Sequence, residues 1–304
     1  MQAMMKTLGC CLAMFIQIHL QGQAKFVESV FYKSILYAGG SLGASQYIGD
    51  LNPRLNVKSI RGAAGVHVGK NILKETVGIQ LAYQTLHLYA ADANTKDPLQ
   101  IIRNLDFQSN VQELSFSVNL KLAQLRNKLN NATLYFQFGA GKIWFDPYTV
   151  LDDDKIYLRP LGTEGQFSYQ TSNPVTYSTT AFFLPIGALL KVPLSNFLSL
   201  NLQYSFRFTS TGYLDDVYGR YAGFESFPIS GGGYNGQLAR QLQNRSTDIS
   251  FGHKGTARGN LSNDQYMTAS LGLEYQFWKY IYKHRLKYRK IRVPTNSEIK
   301  SVEQ

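Results

Sequence analysis

The sharpest grouping of reactive residue types in this chain is Ser250, His253, Asp248 and Asp264. A serine, a histidine and an acid are the parts of a hydrolase or acyltransferase site, in which the imidazole takes the nucleophile's proton and the carboxylate orients the ring. Serine and aspartate are frequent in any long polar loop, so their presence together carries little weight without geometry. Asp152-Asp153-Asp154 could hold Ca²⁺, but the run lacks the ligand spacing of a known calcium loop and reads as a solvated turn. Gly231-Gly232-Gly233 is not followed by the Lys-Ser/Thr of a phosphate-binding loop and marks a loop instead. The other histidines beyond residue 24, His67, His87 and His284, are scattered. The sequence therefore predicts no catalytic residue, no metal site and no cofactor.

The elements that carry these residues follow from composition and period. Of 304 residues, 44% are hydrophobic and 13% aromatic, with 20 Tyr, 18 Phe and 26 Gly, which excludes wholesale disorder. After residue 24 no apolar run is long enough for a membrane helix. Alternation of period two recurs eight times. It is clearest at Leu114, Phe116, Val118 and Leu120, at Leu134, Phe136 and Phe138, at Leu198 through Phe208, and at Ala269 through Phe277. Weaker versions lie near 35–47, 61–70, 76–88 and 178–192. These stretches match the roughly 9–11 residues a tilted strand needs to cross a bilayer. The opposite face holds Gly, Ser, Gln and Asn with the charges Glu113, Arg207 and Glu274, which suits a polar lumen crossed by ion pairs. Links near 70–75 and 193–197 are short and one near 121–132 is moderate, whereas those near 48–60, 89–108, 146–177 and 210–267 are long. The fold expected is all-β: an eight-stranded antiparallel transmembrane β-barrel with long extracellular loops and both ends of the mature chain on the periplasmic side.

The flanking segments add two expectations. Lys6, the apolar run Thr7–Leu20 and the small residues before Lys25 predict a signal peptide over 1–24, cleaved after Ala24. Cys10 and Cys11 fall inside it, so the barrel, placed at 25–280, uses no disulfide. A basic periplasmic tail is expected at 281–304. Lys283, Arg285, Lys287, Arg289, Lys290 and Arg292, interleaved with Tyr282 and Tyr288, could dock an acidic partner, and a solvated anchor is the plainer reading. Nucleic acid and a small-molecule substrate are not expected.

Four short strings at the strand–loop boundaries are more specific: Tyr47-Ile48-Gly49-Asp50-Leu51-Asn52-Pro53, Arg103-Asn104-Leu105-Asp106-Phe107, Leu161-Gly162-Thr163-Glu164-Gly165-Gln166 and Gly212-Tyr213-Leu214-Asp215-Asp216-Val217. Each sets turn formers beside aromatic or aliphatic residues, as at a rim where loops fold back over a barrel. Through these strings the chain resembles the PorG-like outer-membrane barrels of the type IX protein secretion system, over about residues 34–280. The closest matches are Pro160–Gln166 and Tyr213–Val217. The resemblance implies a non-enzymatic accessory protein of the outer membrane that contacts lipid and associates with periplasmic PorK/PorN-type ring subunits and other type IX components. It carries over no catalytic residue. The rim residues Gly49, Asp50, Asn52, Gly162, Thr163, Glu164, Tyr213, Asp215 and Asp216 are read first as ordering the loops. Three other readings stand beside it: a small passive channel, an enzyme built around His253, and a soluble lipocalin-like binder with the apolar face inward.

Overall fold

Alternation makes each strand two-faced, and the way the sheet closes decides which face meets solvent. The computed structural model describes residues 35–126, 131–168, 176–227, 235–248 and 250–277. The expected leader, the triglycine at 231–233 and the basic tail at 281–304 lie outside the described residues. The strands are β1 (Ile35–Ile48), β2 (Arg61–Ile72), β3 (Val77–Ala91), β4 (Asp106–Arg126), β5 (Asn131–Trp144), β6 (Pro147–Leu151), β7 (Asp154–Tyr157), β8 (Thr180–Pro193), β9 (Leu198–Thr209) and β10 (Gln265–Gln276). All pairings are antiparallel. β1 through β5 follow in order, β5 joins β8, and β10 returns to β1, so eight strands form a closed barrel. At the seam between first and last strands Tyr47 lies directly opposite Tyr266. β6 and β7 form a side hairpin on the β5–β8 connection, turned by Asp152 and Asp153, both at positive φ. The aspartate run at 152–154 is thus an exposed hairpin turn.

Connections alternate as the spacing predicts. β2–β3 and β8–β9 are joined across 73–76 and 194–197, while 49–60, 92–105, 145–179 and 210–264 emerge at the opposite end. Ile35 and Gln276 both lie at the short-turn end. Two short helices occupy the long connections, α1 (Pro98–Arg103) and α2 (Gly236–Gln243). No helix among the described residues is long and apolar enough to cross a membrane.

The interior is polar and the exterior apolar through the middle of the barrel. Glu113, Ser115, Ser117 and Asn119 of β4 are buried, whereas Leu114 and Phe116 between them are exposed. The same division holds for Ser205 and Arg207 against Tyr204 and Phe208, and for Glu274 against Leu273 and Tyr275. Near the loop end the polarity inverts. On β4 the outward residues become Gln108, Asn110 and Gln112 while Phe107 and Val111 turn inward. β3 changes at the same height: Leu81 and Tyr83 face out below, and Leu86, Leu88 and Ala90 face in above. The register pairs Tyr83 with Leu114 and Thr85 with Gln112, so the change follows one line across both strands. Above this line an apolar core forms from Tyr47, Leu51, Phe107, Phe145, Leu214 and Phe227 with their neighbours, and the long loops fold over it as a cap.

Candidate functional site

Inside the barrel the predicted lumenal charges occupy two separate centres. Toward the cap, Arg207 grips Glu113 through two nitrogens, Nη2 to Oε1 at 2.9 Å and Nε to Oε2 at 3.3 Å. Tyr266 donates its hydroxyl to Glu113 Oε2 at 2.7 Å, and Arg207 also reaches Gln84 Oε1 and the Thr268 hydroxyl. Toward the short turns, Glu274 Oε2 accepts from Lys191 Nζ at 2.7 Å and Asn201 Nδ2 at 3.1 Å, with His67 Nε2 at 3.6 Å. Lys191 Nζ also lies 4.0 Å from the centre of the Tyr37 ring. Between the centres Gln203 donates to Gln137 at 2.6 Å. The cavity left there is about 30 Å³, room for about two waters. Among the described residues the lumen between these centres is packed with side chains.

The four strings converge above it. Gly49 and Asn52 close a tight turn through mutual backbone hydrogen bonds, and Asn52 Nδ2 donates to the Tyr47 carbonyl at 2.7 Å. A Cβ on Gly49 would run into the Tyr47 hydroxyl and Asp264 Oδ1, so only glycine fits there. The Tyr47 hydroxyl is 2.5 Å from both Asp215 Oδ2 and Asp264 Oδ1 and accepts the Asp50 N–H. Asp215 Oδ1 accepts from Val217 N, Asp264 Oδ2 from Leu214 N, and Asp50 Oδ1 from Asn260 N.

Beside this trio a second acidic group is neutralised by arginine. Arg103, at the end of α1, forks onto Asp92 at 2.7 and 2.8 Å and donates to the carbonyls of Asp50 and Arg258. Asn104, at φ 56, ends α1 in the left-handed conformation and lets the chain turn into β4. Arg258 donates to Glu164 Oε1 at 3.3 Å and to the Asp216 carbonyl at 2.5 Å. Glu164 also accepts from the backbone N–H groups of Tyr218 and Gly219 and from the Tyr213 hydroxyl. Asp216 accepts from Thr163 Oγ1 and, at 2.6 Å, from Tyr177, whose ring stacks on Tyr213 at 4.4 Å. Gly162, at φ 54, supplies the left-handed turn that aims Thr163 and Glu164 inward.

Burial dominates the electrostatics of this knot. It pushes Asp216 up to about 6 against the pull of Arg258, Thr163 and Tyr177. It likewise pushes Asp50 up to about 6, with Arg103 acting the other way. Asp215 is raised well above the usual carboxylate range, by burial and by the charges of Asp264 and Asp50 beside it. Asp264 is raised chiefly by burial.

All nine rim residues fall within this region, and it also recruits Tyr47, Asp92, Tyr177, Arg258 and Asp264. Tyr47 was inside a string, and Asp264 was visible only as a member of the grouping around His253. Arg258 and Asp92 carry no local signal; the need for cations beside so many acids is the only pointer to an arginine. The structure does not build the hydrolase grouping. Ser250 Oγ donates to Asp248 at 2.6 Å in an exposed turn, His253 is exposed, and Asp264 is buried with Tyr47.

No protein-family model matches the chain, and no curated protein matches it. Among solved structures it is similar to Neisserial surface protein A, at 8% identity over 80% of this chain and 97% of that one, with a TM-score of 0.39. It is also similar to the N-terminal β-barrel domain of Pseudomonas aeruginosa OprF, at 9% identity over 80% and 97%, TM-score 0.33. A major outer membrane protein of Thermus thermophilus shares 12% identity over 80% and 99%, TM-score 0.35. With likenesses this distant, the assignment of a closed eight-stranded antiparallel barrel stands on the strand pairing itself.

Proposed function

We propose that this chain is a non-conducting outer-membrane barrel that serves as a non-enzymatic scaffold of a type IX secretion machinery. The observation that carries the reading is the paired inversion of polarity. A barrel with a polar, plugged interior and an apolar exterior, reversing at one height, is built to sit in lipid with its cap in water. This opposes the lipocalin-like alternative, whose apolar face would be inside. The filled lumen favours a scaffold over a passive channel, since eight strands enclose only enough space for side chains. The useful surfaces are then the two ends. The long-loop end would face outward, and the short turns, with both ends of the mature chain, would face the periplasm. Placement in the type IX system rests on the resemblance of the four strings, and the basic tail is the segment offered to the PorK/PorN-type ring on its charge alone.

The test is mild crosslinking and detergent extraction of the tagged protein from outer membranes, followed by mass spectrometry. Recovery of a periplasmic lipoprotein ring supports the scaffold. A partner-free detergent monomer would overturn it, and steady single-channel currents in planar bilayers would favour the channel.

A further inference from the structure

As carboxylates, the trio Asp50, Asp215 and Asp264 is short of hydrogen-bond donors. Each offers one carboxylate oxygen to a common centre, and these three oxygens lie within 4.8 Å of one another. Among the six oxygens, three are served by backbone N–H groups of Val217, Leu214 and Asn260. Two more share the Tyr47 hydroxyl, which has a single proton to give. The sixth, Asp50 Oδ2, is fully enclosed and has no partner, on a residue that is nine-tenths buried. None of the three carboxylates lies in an ion pair among the described residues. Arg103 and Arg258, the buried guanidinium groups nearby, are spent on Asp92, Glu164 and Asp216. A buried carboxylate oxygen without a donor is costly, and three acids at one point multiply that cost.

We propose that this trio is a binding site for a hard divalent cation of the calcium class. The donors are all oxygen, as calcium prefers. The three oxygens lie within 4.8 Å of one another, in the range of the O···O separations around one ion held at Ca–O distances of roughly 2.4 Å. The Tyr47 hydroxyl oxygen is a fourth donor in place. The ion adds positive charge in direct contact, which Arg103 supplies to Asp50 only from a distance, and gives Asp50 Oδ2 its partner. It also ties together three points of the chain: the exit of β1, the start of the last long connection just after β9, and the entrance to β10. The cap would then be pinned to the barrel mouth by an ion, at an affinity on the order of 10⁻⁴–10⁻³ M, as in extracellular modules.

The test uses the full-length protein folded in detergent and stripped with EDTA. Tb³⁺ should bind with luminescence sensitised by Tyr47, and one equivalent of site should be cleared by competing Ca²⁺. Ca²⁺ should also raise the melting temperature of the cap in the unmodified protein. D50N should weaken Ca²⁺ affinity at least tenfold, whereas D152N/D153N, in the exposed hairpin turn, should leave it unchanged. Folding of each variant is checked by heat-modifiable gel mobility. If D50N fails to fold, the unmodified protein still decides through its Ca²⁺ titration. Absence of any Ca²⁺ effect at millimolar concentration overturns the site, as does binding that folded D50N retains in full.

Discussion

Lys191 and Glu274 meet inside the barrel at 2.7 Å although β9 lies between their strands, so their ion pair spans part of the lumen. Both side chains are almost completely enclosed. Removing one partner strands a buried charge, and K191M should destabilise the barrel by about 3–5 kcal/mol. The double variant K191M/E274Q should recover much of that loss. Urea unfolding in detergent or lipid would measure both, and equal destabilisation by the single and double variants would refute the pairing.

Gly49 is the most tightly enclosed of the glycines described in the cap. A methyl group there would strike the Tyr47 hydroxyl and Asp264. G49A should therefore open the Tyr47–Asp264 contact and cost about 1–3 kcal/mol, in the range of overpacked cores. The loss should appear as faster hydrogen exchange in 49–52 and 210–217, with exchange in the mid-barrel strands unchanged.

Asp216 gives the cap a pH dependence whose sign is fixed. Its folded value of about 6 lies above the ordinary unfolded value of about 3.9. The folded state holds the proton more tightly, so this stabilisation is complete below about pH 4 and is lost as pH rises through about 6. The difference in stability between the unmodified protein and D216N should change by on the order of 2 kcal/mol between pH 4 and pH 7. Near-ultraviolet circular dichroism melts would follow it, and parallel pH profiles would exclude Asp216 as the source.

Arg258 sits between Glu164 and Asp216 with almost no exposure. R258M should leave both acids unneutralised and destabilise the cap by about 3–5 kcal/mol. Limited proteolysis of intact membranes should then cut the long connections while the spanning strands persist. Loops as resistant as in the unmodified protein would show that Arg258 contributes little.

Outside the described residues, neutralising Lys287, Arg289, Lys290 and Arg292 should reduce recovery of ring subunits severalfold while heat-modifiable mobility stays normal. Undiminished recovery would remove the tail from the proposed docking surface.

The barrel was legible because its middle obeys one rule: every second residue of β4, β9 and β10 meets the exterior, and that parity survives in the sequence. The upper part was less legible. There the same alternation continues with reversed meaning, so Gln108, Asn110 and Gln112 hid the first third of β4. The β6–β7 hairpin falls where the spacing predicts only a loop, since five- and four-residue strands carry little period. The rim strings were visible through their turn chemistry, but their convergence was not. Glu164 and Arg258 are joined across 94 positions by folding of the loops, and no local pattern encodes that contact. The lumenal charges were legible by face and not by pairing, because Lys191, the partner of Glu274, occupies an inward position in a segment with weaker alternation.

The seam where Tyr47 faces Tyr266 sets an order on biogenesis. These rings belong to the first and last strands, and each passes its hydroxyl to an acid from elsewhere: Tyr47 to Asp215 and Asp264, Tyr266 to Glu113. Neither set can be completed until the final strand has arrived, so the contacts of greatest sequence separation form last and carry the largest loop-closure penalty. A nascent barrel with an unzipped seam therefore lacks both its cap latch and part of its lumenal plug. Without β10, β1 and β9 are left as unpaired edges, so a chain truncated there keeps an open sheet rather than a smaller closed barrel.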